Sequence, residues 1–70
     1  MVKIIKLEAK TFSKKCKNEI IGHIPYVVGW RKLNVPEMGE VFYLKNKHKN
    51  TIAHVYKDSG NMVLSYQEAV

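Results

Sequence analysis

The last thirty residues show the clearest alternation of apolar and polar side chains. Three short β-favouring runs, VFYLK, TIAHVYK and MVLSYQE, are separated by the polar segments NKHKN and DSGN. Asp58 can bond to its own backbone and Gly60 can adopt the left-handed conformation, so DSGN has the composition of a tight hairpin turn. These runs predict a meander of three antiparallel strands at about 41–45, 51–57 and 62–68.

Both faces of these strands are partly apolar. Along TIAHVYK, Ala53 and Val55 would share one face, and Ile52 and Tyr56 would share the other with His54. We therefore expect one face to pack on the core and the other to be partly covered by the N-terminal half of the chain. His54, at mid-strand, is interpreted as a half-buried packing residue.

The N-terminal segment VKIIKLEAK predicts a further strand over residues 2–10, because Ile5, Leu7 and Ala9 would share one of its faces. The next fifteen residues carry apolar side chains at every fourth position, which is the spacing of one helix face. These positions are Phe12, Cys16, Ile20 and Ile24. Thr11 or Ser13 can cap such a helix, and Pro25 can end it.

A strand pattern overlaps the same segment, because every second residue from Ile20 to Trp30 would also share one face. Gly22 adds weight to it, since glycine weakens a helix by about 1 kcal/mol relative to alanine. We resolve the two patterns into a short helix around 13–21 and a strand at about 24–33. The segment NVPEMGE, residues 34–40, then predicts a loop.

The elements together predict a mainly β fold: a small antiparallel curled sheet or barrel of four to five strands with one short helix. The strands would lie at about 2–10, 24–33, 41–45, 51–57 and 62–68, and the helix around 13–21. The alternative is an α+β fold with the helix packed on an antiparallel sheet. In size and strand pattern alone, the chain resembles small barrels of the SH3-like or OB type. Seventy residues suit a single domain, 1–70.

Charge and cysteine content indicate the kind of partner and the cellular compartment. Twelve Lys and Arg residues oppose six Asp and Glu residues, and the whole net charge of +6 resides in residues 1–36. A one-sided excess of this kind attracts polyanions, although it can also serve solubility alone. The single cysteine excludes an internal disulfide and favours a reducing compartment, so we expect a cytoplasmic protein. No run of 18 apolar residues predicts a membrane span, and we expect no membrane partner.

The residues that could support catalysis or metal binding are few and badly spaced. Cys16 is the one possible thiol nucleophile, and His23, His48 and His54 are the possible bases. No carboxylate is spaced to orient a histidine, and there is no glycine-rich phosphate loop. None of the Cys–His or His–His spacings forms a compact ligand pair. We predict no enzyme activity, no metal site and no cofactor, and a buried apolar role for Cys16.

Three short basic segments form the candidate binding site. They are KTFSKKCK with Lys10, Lys14, Lys15 and Lys17, WRK with Trp30, Arg31 and Lys32, and KNKHK with Lys45, Lys47 and Lys49. On an extended hairpin arm the last three lysines would lie on one side, about 6.6 Å apart, and in a tight turn they would splay. Lysine and arginine can neutralise phosphates, and tryptophan can stack on a base.

These segments predict a binding module that contacts nucleic-acid phosphates through a lysine-rich face. Only one of the twelve cations is arginine, and base reading relies on arginine, asparagine and glutamine, so we expect weak sequence preference. The alternative is a protein-interaction module or small inhibitor that docks on an acidic partner surface.

Overall fold

Five antiparallel strands form one sheet, and a single helix packs against one of its faces in the computed structural model, which describes residues 1–67. The elements are β1 Val2–Lys6, α1 Lys14–His23, β2 Gly29–Val35, β3 Gly39–Lys45, β4 Thr51–Asp58 and β5 Asn61–Gln67. Strands β2 to β5 form a meander, and β1 pairs with β5 to give the order β1-β5-β4-β3-β2. The predicted mainly β fold is confirmed, and the sheet is open rather than closed into a barrel.

The predicted C-terminal meander corresponds to β3, β4 and β5. Ser59 and Gly60 form the two-residue turn between β4 and β5, and both have positive φ, of 52° and 87°. This is the backbone geometry that matches the twist of a hairpin. Residue 68, the last of the predicted strand, lies outside the described residues.

The segment predicted as a loop, 34–40, is mostly strand. Strand β2 continues to Val35 and β3 begins at Gly39, which leaves a three-residue turn. Gly39 has a φ of 78°, and the Met38 amide donates to the Val35 carbonyl at 3.1 Å. The prediction of a longer loop was wrong because Pro36 and Gly39 flank a compact turn.

The helix follows the four-residue apolar spacing. Its N-cap is Ser13, whose hydroxyl accepts a hydrogen bond from the Cys16 amide at 3.4 Å. Cys16, Ile20 and Ile24 are all buried, which explains the periodicity. The helix continues through Gly22 to His23, so the competing strand pattern fails before residue 29 and β2 starts five residues later than predicted. The helix has ten residues, and no helix within residues 1–67 is long and apolar enough to cross a membrane.

Strand β1 ends at Lys6, four residues earlier than predicted, although the apolar face continues. Leu7 and Ala9 remain buried after the strand ends. The Leu7 amide donates to the Met62 carbonyl at 2.8 Å, and the Met62 amide donates to the Ala9 carbonyl at 3.0 Å. The chain therefore bends over the core while it stays bonded to the start of β5.

The core lies between α1 and one face of the sheet, which we call the covered face. The sheet contributes buried side chains that include Leu44, Val55 and Leu64, and the helix contributes Cys16 and Ile20. Complete burial of a Leu, Ile or Val side chain contributes about 1.5–3 kcal/mol. A register shift in β4 also turns Ile52 toward this core, away from the face that simple alternation assigned to it.

A carboxylate fixes the helix to the segment after β1. The two Glu19 side-chain oxygens accept hydrogen bonds from the Glu8 and Ala9 amides, each at 3.1 Å. An ionised acceptor makes stronger hydrogen bonds than a neutral one. This contact holds the bend of the chain against the middle of the helix.

We expect Glu19→Ala to lower the free energy of unfolding by about 2 kcal/mol, because both amides lose a charged acceptor while alanine preserves helix propensity. Urea denaturation followed by circular dichroism measures the change. Glu37→Ala, which removes an exposed carboxylate from the β2–β3 turn, is the matched control. Equal stability of the two variants would show that the Glu19 contacts contribute nothing.

Candidate functional site

The strand register defines a second face of the sheet, which we call the open face because it lies opposite α1. Residues paired directly across antiparallel strands point to the same side of a sheet. Two neighbouring rows cross all five strands on the open face. They are Ile4, Ser65, His54, Tyr43 and Arg31, and then Lys6, Val63, Tyr56, Val41 and Leu33.

Aromatic rings occupy the middle of the open face. The Tyr43 and His54 rings meet edge to face, with their centroids 4.8 Å apart at an angle of 80°. His54 is exposed, and Tyr43 and Tyr56 are half-buried. The sequence-based interpretation of His54 as a half-buried packing residue was wrong, because no part of the N-terminal half covers its ring from solvent. The N-terminal helix and its connections pack on the covered face instead.

The charged side chains within the two rows of the open face are positive. Arg31 lies at the β2 edge and Lys6 at the β1 edge, and both are exposed. Lys45 follows Tyr43 by two residues on β3, so it points to the same side. Neither row contains an Asp or Glu residue. Asp58, two residues beyond Tyr56 on the same side, carries a carboxylate at the hairpin end of the sheet.

The WRK segment is divided between the two faces of the sheet. Arg31 points to the open face, whereas Trp30 and Lys32 point to the covered face. The Lys32 ammonium lies 3.4 Å from a carboxylate oxygen of Glu40 on the neighbouring strand. The period of two in a strand therefore separates three residues that are adjacent in sequence.

The helix lysines have different surroundings. The Lys17 ammonium lies 5.5 Å from the centroid of the Phe12 ring and 5.7 Å from that of Trp30. This cation–π contact joins the first turn of the helix to strand β2. Lys14 and Lys15 are exposed, and nothing in the packing explains their position at the positive end of the helix dipole.

The KNKHK segment forms a tight turn. The Asn46 side-chain oxygen accepts hydrogen bonds from the His48 and Asn50 amides at 2.9 and 3.1 Å. The Lys49 amide donates to the Asn46 carbonyl at 3.0 Å, and Lys49 has a φ of 65°. Strand alternation ends at Lys45, so Lys47 and Lys49 do not continue the row that an extended arm would form.

The predicted basic residues do not form a single cluster. Lys10 lies beside Gly39 and Lys57 at one end of the sheet, whereas the turn with Lys47 and Lys49 follows the other end of β3. Seven residues of strand separate these ends by about 20 Å. The structure brings Lys17 to Trp30 and places Arg31 and Lys45 on the open face. It separates Lys10 from the turn that carries Lys47 and Lys49. The assignment of the predicted basic residues to a binding site stays a prediction.

Sequence reasoning omitted Lys6 and the ring residues Tyr43, His54 and Tyr56 from the candidate site. Alternation within TIAHVYK does place His54 and Tyr56 on one face. However, the sequence contains no local signal for the register that sets Tyr43 beside His54, or for the face that the helix covers.

Cys16 lacks the environment of a nucleophile. Its side chain is fully buried, and burial together with the nearby Glu19 carboxylate raises the pKa of the thiol above its ordinary value of 9.0. A reactive cysteine needs a lowered pKa and access to solvent. Within residues 1–67, no three His, Cys, Asp or Glu side chains are grouped in a way that could hold a metal ion.

Comparisons with protein-family models, with curated proteins and with solved structures found no match to this chain.

The raised thiol pKa makes stability depend on pH above 9. The unfolded thiol ionises first, so the folded state binds more protons between the two pKa values and stability falls as pH rises. We expect the free energy of unfolding to fall less steeply between pH 8.5 and 10.5 (about the range in which thiols titrate) in Cys16→Ala than in the parent protein. Urea titrations across this range measure both slopes, and equal slopes would contradict the prediction.

Proposed function

We propose that the protein binds single-stranded nucleic acid across the open face, with weak sequence preference and no catalysis. The observation that carries the proposal is the composition of the two rows. Three rings, Tyr43, His54 and Tyr56, lie between the cations Arg31 and Lys6, and no carboxylate interrupts them.

The cations on opposite edges suit an extended polyanion. Arg31 and Lys6 are separated by four inter-strand steps, or about 19 Å. A phosphate backbone that crosses the sheet could contact both, and each neutralised phosphate would release condensed counterions. Arg31 can also bind a phosphate through two parallel hydrogen bonds, which a lysine cannot do.

The rings supply an affinity that does not depend on base identity. Bases of a single strand are free to stack on aromatic side chains, and each stacked base contributes about 1–3 kcal/mol. In a duplex the faces of the bases are already stacked on neighbouring bases. The aromatic side chains therefore favour single strands. Sequence reading needs several forked donors, and the two rows offer only Arg31.

The same features weigh against two other occupants. A second copy of the chain would bring the cationic rows of two open faces together, which like-charge repulsion disfavours. An acidic protein surface would neutralise Arg31 and Lys6 as well as phosphates do, but it would not require stackable rings between them. Binding of an acidic protein surface would therefore not depend on the Tyr43 ring.

We expect the double variant Lys6→Gln/Arg31→Gln to weaken binding to a labelled twenty-nucleotide oligo(dT) and to reduce the salt dependence of its affinity. Loss of two phosphate contacts should lower the slope of log affinity against log salt by about 1.4. Fluorescence anisotropy between 50 and 200 mM salt (a range over which phosphate contacts alter affinity strongly) measures the slope.

Lys14→Gln/Lys15→Gln is the matched control, since it removes the same charge from the helix. An unchanged slope in the open-face variant, together with a reduced slope in the helix variant, would move the contact to the helix lysines. Unchanged slopes in both variants would reject phosphate binding at either place.

We expect Tyr43→Leu to weaken oligo(dT) binding about 5- to 150-fold, because one base loses its stacking partner. Tyr43→Phe keeps the aromatic ring on which the base stacks, so it should bind within about twofold of the parent. Anisotropy with the oligonucleotide measures both, and a duplex of the same length should bind more weakly than the single strand. Equal losses in the Leu and Phe variants would contradict base stacking.

A further inference from the structure

A separate cavity opens at the hairpin end of the sheet. It has a volume of about 480 Å³ and lies between the segment that precedes α1, the turn between β2 and β3, and the neighbouring ends of β4 and β5. This volume is within the range of small-molecule sites in proteins. The sheet residues Phe42 and Met62 that line it belong to the covered face, so the cavity is separate from the open face.

The inner wall of the cavity is apolar. The Phe12 ring stacks on the Phe42 ring with their centroids 3.7 Å apart and nearly parallel planes. Met62 is almost fully buried beside them, and Met38 at the β2–β3 turn is half exposed. Methionine side chains adapt readily to the shape of an apolar ligand. These four residues could therefore surround a flat or aliphatic group.

The rim of the cavity is cationic. Lys10 and Lys57 come from different parts of the chain and both line the opening. One carboxylate, that of Glu40, lies on the same rim, and the Lys32 ammonium is 3.4 Å away from it. Because Glu40 already has a cationic partner, the two remaining lysines leave the cavity with an excess of positive charge.

We propose that this cavity binds a small amphipathic anion, with an apolar or aromatic body against Phe12, Phe42 and Met62 and an acidic head group between Lys10 and Lys57. An anion is favoured over a neutral ligand because two lysines line the cavity and the carboxylate of Glu40 is paired with Lys32. A small molecule is favoured over a polymer because a volume of about 480 Å³ is typical of a small-molecule site. The inference is independent of the proposed nucleic-acid site.

The test uses 1-anilinonaphthalene-8-sulfonate, an aromatic sulfonate whose fluorescence increases in apolar sites, and its uncharged analogue N-phenyl-1-naphthylamine. We expect saturable binding of the sulfonate at one site per chain and about tenfold weaker binding in Lys10→Gln/Lys57→Gln. Lys14→Gln/Lys15→Gln, with the same net charge, should bind like the parent. The neutral analogue should bind equally well to all three proteins.

Amide chemical shifts locate the ligand. Shifts confined to residues around Phe12, Met38 and Met62 support the proposal, and shifts on the open face overturn it. Equal affinity of the sulfonate for the parent and for Lys10→Gln/Lys57→Gln also overturns it. Thermal melting of each variant shows whether the fold is intact, and both lysines are exposed, so the substitutions leave the core unchanged.

Discussion

The packing of one short amphipathic helix against one face of a five-stranded sheet is the constraint on which the other features depend. The helix has ten residues and is about 15 Å long, and the sheet is about 19 Å wide across its strands. Helix α1 and its connections pack on the covered face. Leu44, Val55 and Leu64 lose contact with water, whereas Arg31 and His54 on the open face remain exposed.

Several of the charged and aromatic side chains serve this packing. Phe12 stacks on Phe42, and Lys17 lies over the rings of Phe12 and Trp30, so the first helical turn is fixed to β2 and β3. Glu19 fixes the middle of the helix to the segment that follows β1. Lys17 and Trp30, which the sequence suggested as ligand contacts, are thus explained by the stability of the fold. Arg31, adjacent to Trp30, points to the opposite face of the sheet.

Local sequence patterns predicted the elements better than their arrangement. The meander and the buried helix positions Cys16 and Ile20 follow from periods of two and four, and these periods are properties of short segments. Strand β1 pairs with β5, more than fifty residues away, and no local pattern specifies that partner. The bulge that turns Ile52 inward is also a consequence of pairing with β3. The same limit applies to charge, since the alternation of β2 separates Arg31 from Lys32.

The cations on the open face have two physical explanations, ligand binding and protection of the sheet edges. Edge protection does not explain the rings between them. An open sheet exposes unpaired backbone groups along β1 and β2, and charged side chains at such edges discourage pairing with another chain. Lys6 and Arg31 lie on those edges, so edge protection alone could account for their charge. Tyr43, His54 and Tyr56 lie on central strands, which have no free edge to protect. Stacking against a planar ligand would account for one exposed and two half-buried rings at this place. The rings, more than the net charge, therefore support the proposal of single-stranded nucleic acid as the ligand.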